Sequence, residues 1–352
     1  MRWLRNASAV ERPPAHRMHC LADGLDFGPG LQVAARSSAS ASASRLMVPE
    51  NQDNVLLIDA SGHAVRLGGE APLRTRVPGW PAGHMRLAVL DGMGGHGNGR
   101  QAAEAVATAL LDVPACRTLA ALSSHLDALH ATLQARFRQP GDADTFRRPG
   151  TTLTLLEIAP GQAPLLYHVG DSRLYEVTAD AAVPLTIDHV PATGYAMHGL
   201  LGAHEWWQQV HGEHRSQIAQ AFILGNAFAN PQLLDDDLRA LDEATLPPFL
   251  HPLADRRALV TRPGALYLLA TDGLWACEQP QPWLARWPHL LTHGTDTVDE
   301  ALTCLFEACM ASPPPQFYID NMTAIAIRFT GDNTGENIDQ TALPHSILTT
   351  FC

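Results

Sequence analysis

An apolar run that ends abruptly at an aspartate constrains this chain more than any other stretch. Leu87-Ala88-Val89-Leu90 leads into Asp91-Gly92, a glycine-rich turn continues through Gly99, and Arg100-Gln101-Ala102-Ala103-Glu104-Ala105-Val106 begins a helix. That order sets a carboxylate at the tip of a buried strand with only small neighbours, where a metal ion or phosphate can approach the backbone. Loops held on a rigid strand are where chemistry tends to sit.

The rest of the chain narrows the class. Its 352 residues suffice for one large domain or two ordinary ones, and 46% hydrophobic content is that of a globular protein. A formal net charge of -12 argues against nucleic acid as a partner, because phosphates need a basic face. Six scattered cysteines form no C-x-x-C pair and no disulfide-framework spacing, as expected of thiols in a reducing cytosol. No apolar run is long enough to span a membrane, and the N-terminal arginines precede no secretory core. A cytoplasmic protein is the expectation.

Residues 1–44 read as a poorly ordered or loosely attached arm ending in the Ser37-to-Ser44 serine/alanine tract. Residues 45–330 carry the dense strand and helix signals, and 331–352 read as a polar surface tail. Strands are expected at 55–59, 86–90, 151–158, 165–169, 172–177, 265–270 and 323–329, with helices at 99–111, 118–137 and 297–310. Gly170-Asp171 reads as a tight hairpin joining two antiparallel strands. Meandering strands with long helices between them favour a layered α+β domain. Between 178 and 261 the pattern weakens, as in an insertion or flap beside the core.

Four aspartates stand at strand ends or in the loops beside them: Asp53, Asp91, Asp272 and Asp320. Asp272 repeats the layout of Asp91, since Leu266-Tyr267-Leu268-Leu269-Ala270 delivers a second Asp-Gly step after Thr271. Each step alone is explained by a turn. Several carboxylates gathered at one sheet end cannot all ionise without a cation between them, and oxygen ligands suit magnesium or manganese.

In order, Asn51-Gln52-Asp53, Asp91-Gly92-Met93-Gly94-Gly95-His96, Gly150-Thr151-Thr152, Gly170-Asp171-Ser172-Arg173, Asp272-Gly273-Leu274-Trp275 and Asp320-Asn321-Met322-Thr323 resemble the bacterial PPM-type metal-dependent protein phosphatases, the protein phosphatase 2C group. Leu185-Thr186-Ile187-Asp188-His189 resembles a further segment of that family, and the likeness runs from about Arg45 to Phe329. The resemblance implies a four-layer αββα sandwich, two antiparallel sheets flanked by helices, with a flap insertion. It implies hydrolysis of phosphoserine and phosphothreonine in proteins, the targets of a serine/threonine kinase, with two divalent ions, Mn2+ or Mg2+. Asp91 would bridge the two ions, the Gly92 carbonyl would help hold one of them, Asp272 and Asp320 would hold the other, and Asp53 would act directly or through water. Asp171, Asp142 and Asp144 are the candidates for a third ion. His96 is the nearest titratable group for proton donation, since Met93 stands where eukaryotic relatives carry a histidine. The chain departs from the family at Val48, where relatives place a phosphate-gripping arginine; Arg45 or another arginine would have to serve.

Other readings carry less. Gly92-x-Gly94-x-x-Gly97 satisfies a dinucleotide fingerprint, but Asp91 would repel the pyrophosphate and no acidic strand end follows about 20 residues on. His198, His204, His211 and His214 invite a zinc reading, yet 17 histidines make chance clustering easy. Trp206-Trp207 reads as a packing anchor of the flap, and Asp235-Asp236-Asp237 as a solvated loop or helix start. A different class, a catalytically weakened phosphatase-like domain that binds phosphoproteins and signals by contact, is motivated by Val48.

Overall fold

Strands that read as unbroken apolar runs prove to be covered on both faces. The computed structural model describes residues 20–39, 50–93, 98–138, 148–212, 217–229, 234–318 and 320–330. In chain order the strands begin with β1 (Leu31–Ser38), β2 (Asn54–Ile58), β3 (His63–Gly68), β4 (Ala71–Arg76), β5 (Met85–Leu90) and β6 (Gly92–Met93). β7 (Gly150–Thr151), β8 (Leu153–Ile158), β9 (Leu165–Val169), β10 (Arg173–Val177) and β11 (Ala182–Pro184) follow. The last are β12 (Gln220–Ala221), β13 (Gly225–Asn226), β14 (Arg256–Ala258), β15 (Leu266–Ala270) and β16 (Met322–Phe329). Two large sheets result, ordered β14-β9-β8-β5-β2-β3-β4 and β1-β16-β15-β10-β11, and every pairing in them is antiparallel.

Alternation along each strand explains the layers. Val55 and Leu57 of β2 and Leu87 and Val89 of β5 face the second sheet, where Leu174, Tyr267, Leu269, Ile325 and Ile327 meet them. Leu56, Ile58, Ala88 and Leu90 point the other way, onto α1 (Asn98–Ala109) and α2 (Leu119–Phe137). On the far side, Tyr175, Leu266, Leu268 and Ala326 pack against helices α5 (Pro280–Leu284), α6 (Trp287–Thr292) and α7 (Val298–Ala311). The architecture is the expected α+β sandwich of helix, sheet, sheet and helix. A capping box fixes the start of α7: Thr297 accepts from the Glu300 N–H, and the Glu300 carboxylate accepts from the Thr297 N–H.

Two expectations are corrected. Residues 20–38, read as part of a loose arm, are built into the sandwich: β1 pairs with β16 along its whole length, Leu31 opposite Phe329 and Ser38 opposite Met322. The chain signal was weak because Ala34 and Ala35 carry no strand preference. Their small side chains are buried on opposite faces, and Arg36 reaches α7 through Asp299 and Thr303. The rest of that arm (residues 1–19 and 40–44) and the 331–352 tail lie outside the described residues. The second correction concerns Gly170-Asp171, which makes no hairpin. β9 pairs with β8 and β14, whereas β10 pairs with β15 and β11 in the other sheet. Gly170, at φ 122°, turns the chain from one sheet to the other, and an added Cβ would press on Thr152 at 2.5 Å.

The flap joins both sheets at its ends, through β11 and β14. Between them, α3 (Pro191–Met197), α4 (Ala203–Trp207) and the π-turn Gln208–Gly212 surround a core of their own, with Ile187, Trp206, Leu241 and Leu250 at its centre. Trp206 is buried and donates its indole N–H to Thr193 Oγ1 at 3.1 Å, which is the anchoring role read for it.

Candidate metal centre

Strand register carries five aspartates to one end of the sandwich. Asn54 faces Leu90, so Asp53 and Asp91 lie side by side just beyond that pair. Ala270 faces Ala324, which sets Asp272 and Asp320 past the same end of the second sheet. Leu153 faces Val169, and the chain leaves β9 at that end through Gly170 into Asp171. Asp53 is buried, Asp91, Asp171 and Asp272 keep a solvent-accessible edge, and Asp320 is exposed.

The electrostatics are those of negative charge in excess. Burial, then the charges of Asp320 and Asp272, hold the Asp53 carboxyl well above the usual range, against the hydroxyls of Thr271 and Thr323. Asp91 is raised by burial and by Asp53, Asp320 and Asp171; Asp272 is raised by burial and by Asp91, Asp320 and Asp171. Asp91 and Asp272 lie close enough for each to perturb the other. Burial and Asp188 push Asp171 up to about 7, opposed by Arg173, and burial raises Asp320. Among the described residues no three acidic or histidine side chains close on a single point tightly enough to hold an ion as they stand. That spacing is compatible with magnesium or manganese, which keep several waters and take one or two carboxylates each. An all-oxygen donor set short of positive charge fits hard divalent cations.

Around the carboxylates the sequence supplies a rigid frame. Thr271 donates its hydroxyl to Asp53 Oδ2 at 2.8 Å and accepts the Thr323 N–H at 3.0 Å. Thr152 accepts the Asp91 N–H on Oγ1 at 2.9 Å, gives its own N–H to the Asp91 carbonyl, and meets the Ser172 hydroxyl at 2.8 Å. Asn321 accepts the Gln52 N–H at 2.8 Å and donates to the Ala39 and Glu50 carbonyls. The Asp-Gly steps are glycine for want of room. A Cβ on Gly92 would strike the Gln52 and Gly99 carbonyl oxygens, and one on Gly273 the Asn321 carbonyl oxygen.

A cleft of about 610 Å³, counted with its open mouth, lies between Asp171 and the flap. Asp171 and Trp275 line one wall; Pro191, Tyr195 and Gln209 line the other. Arg173 underlies this cleft, with Nη2 2.7 Å and Nε 3.0 Å from the Asp188 carboxylate, Nη1 on the Tyr175 hydroxyl at 2.9 Å, and the Trp275 ring face at 3.5 Å. Desolvation raises Asp188, against the pull of Arg173.

The structure therefore brings together Asp53, Asp91, Gly92, Asp272 and Asp320, and adds Asp171. His96, Val48, Arg45, Asp142, Asp144 and His214 lie outside the described residues. His211 is buried against Trp207, with ring centroids 4.2 Å apart, away from the carboxylates' hydrogen-bond network. Sequence reasoning missed the roles of Thr271, Thr152, Ser172 and Asn321 in positioning the aspartates. Each sits within one or two residues of an aspartate or a motif glycine, the signal that could have found them.

No protein-family model matches the chain. Protein phosphatase PhpP of Streptococcus pneumoniae is 30% identical over 118 residues, 31% of this chain and 45% of the relative. Serine/threonine protein phosphatase PstP of Mycobacterium tuberculosis is 34% identical over 111 residues, 30% of this chain and 21% of the relative. The chain thus spans less than half the length of these relatives. The crystal structure of M. tuberculosis PstP/Ppp matches 86% of this chain and 99% of its own, at 22% identity and a TM-score of 0.53. The PstP catalytic domain in complex with two manganese ions matches 85% and 97%, at 22% identity and a TM-score of 0.51. The fold is the one these phosphatases share.

Proposed function

We propose that this chain, built on the fold of the bacterial PPM-type serine/threonine phosphatases, hydrolyses phosphoserine and phosphothreonine esters in proteins. The observation that carries the reading is the gathering of Asp53, Asp91, Asp272 and Asp320 at one sheet end, with their charge in excess, beside an open cleft. Asp91, the Gly92 carbonyl, Asp272 and Asp320 would hold two divalent ions, and Asp53 would act directly or through water. When bound, those ions supply the positive charge that acidifies a water and offsets the phosphoryl group.

The chain's own residues do the rest. Thr271 fixes the Asp53 carboxylate, and Thr152 fixes the backbone of Asp91, so the donor set is held before substrate enters. Tyr195, Pro191 and Gln209 of the flap narrow the approach to Asp171 and shape which phosphorylated segment can reach it. His96 is the proposed source of the proton for the departing alkoxide, through an intervening water. The catalytic unit takes in the whole sandwich and its flap. The setting is cytoplasmic and the partners are phosphoproteins made by a serine/threonine kinase. Among the described residues no helix is long and apolar enough to cross a membrane.

The test is hydrolysis of a phosphothreonine peptide with manganese, with and without chelator. Turnover should vanish with chelator and fall roughly 1000-fold or more in Asp91→Ala and Asp272→Ala. The apo fold of both variants should survive, because removing a carboxylate relieves repulsion. Full activity in Asp91→Ala contradicts the site, and a wild type inert at every metal concentration leaves a phosphoprotein-binding module.

A further inference from the structure

Resting on the phosphoester reading above, we propose that Arg100 grips the phosphate of the incoming substrate, with Glu50 holding its guanidinium ready until the phosphate arrives. A phosphate monoester presents several terminal oxygens, and a planar guanidinium can donate to two of them at once. A guanidinium suited to that task has to lie beside the aspartates, remain reachable from solvent and be lightly committed. Arg173 fails on the last two counts, being buried and tied to Asp188, Tyr175, the Val210 carbonyl and the Trp275 face. Arg36 is buried under α7 against Asp299 and Thr303.

Arg100 is reachable and lightly committed, and its chain neighbour Gly99 packs on the residue that follows Asp91. It stands in the first turn of α1, directly after Gly99, whose backbone packs on Gly92 and whose Cβ position lies 2.6 Å from Gln52 Oε1. Its neighbours are thus the residues flanking Asp91 and Asp53. The Nη2 atom is 3.4 Å from Glu50 Oε2, with the two side chains 37% and 24% exposed. Glu50 Oε1 in turn accepts from Gln52 Nε2 at 3.4 Å, one residue before Asp53. A single long contact between partly exposed charges is a weak tie, screened by water and salt. A phosphate dianion offers more charge and two acceptors in the guanidinium plane, so it displaces Glu50. Glu50 then acts as a competitor for Arg100 in the free protein, and its removal should tighten phosphate binding.

Three variants decide the matter: Arg100→Ala, Arg100→Lys and Glu50→Gln. Inorganic phosphate is titrated calorimetrically into each manganese-loaded protein, alongside steady-state kinetics on the phosphothreonine peptide. Arg100→Ala should raise the phosphate Kd and the peptide KM about tenfold or more, leaving manganese affinity and thermal midpoint unchanged. Arg100→Lys should recover part of the loss, since charge remains but the planar pair of donors does not. Glu50→Gln should lower the phosphate Kd about two- to fivefold. Equal phosphate Kd in wild type and Arg100→Ala overturns the assignment. So does a weakening of phosphate in Glu50→Gln together with a lowered thermal midpoint, the signature of a structural strap. A wild type that binds phosphate through Arg100 yet hydrolyses nothing would remove the phosphatase reading and leave this one standing.

Discussion

At the scale of single residues, the centre depends on what glycine permits as much as on what aspartate supplies. The Cα of Gly273 is so close to the Asn321 carbonyl that no side chain fits, which is how Asp272 and Asp320 come to face the same space. Gly273→Ala should cost about 1–3 kcal/mol of stability through overpacking, measurable by urea unfolding. By parting Asp272 from Asp320 it should also weaken manganese binding at least roughly tenfold, a level seen when ligand supports are lost. Unchanged manganese affinity in that variant would show that the close approach plays no part in the site. The aspartates were legible from sequence because each follows or precedes an apolar run and carries a small or amide neighbour. The hydroxyls of Thr271 and Thr152 were not, because a threonine in a strand end reads first as a β-former.

At the scale of elements, the strap between β10 and the flap is a buried ion pair. Arg173 is enclosed with Asp188, and its Nη2 also holds the Val210 carbonyl of the π-turn at 2.9 Å. Arg173→Met should destabilise the protein by about 3–5 kcal/mol, since it strands a buried carboxylate. Arg173→Met combined with Asp188→Leu should recover most of that loss, as read by denaturant midpoints; a double variant as weak as the single one would refute the pairwise account. Which elements the sequence revealed follows from burial. β2, β5, β15 and β16 are largely apolar because helices cover their outer faces, so composition marked them. β4 is exposed along its length and contains Pro72, Arg74 and Arg76, and its pairing with β3 left no hydrophobic trace. The crossover at Gly170-Asp171 was misread because a Gly-Asp step gives the same local signal whichever sheet receives the next strand.

At the scale of the whole molecule, the two sheets and the flap meet around histidines that the fold keeps neutral. Burial pulls His168 down to about 3, while it meets Thr154 Oγ1 at 2.9 Å and the Ile187 carbonyl at 2.9 Å. His189, meeting it edge-on at 5.1 Å, is likewise lowered, chiefly by burial. The sign follows from linkage. A depressed folded-state value means full stability above the unfolded value near 6.5, lost progressively as pH falls from there toward 3. His168→Gln should therefore lose less stability than wild type between pH 7 and pH 5, by roughly 2 kcal/mol at the lower end. The raised carboxylates act oppositely but equally in both proteins, so the difference isolates the imidazole. Urea midpoints that fall in parallel would exclude it.

The pairing of β1 with β16 has a temporal consequence. Leu31 waits for Phe329, and Asp320 enters just ahead of β16, so neither the second sheet nor the carboxylate set can close until β16 has been made. Such long-range closure is slow, and the first-made segments spend synthesis with an open strand edge. The proposed carboxylate centre is thereby incomplete until β16 is delivered.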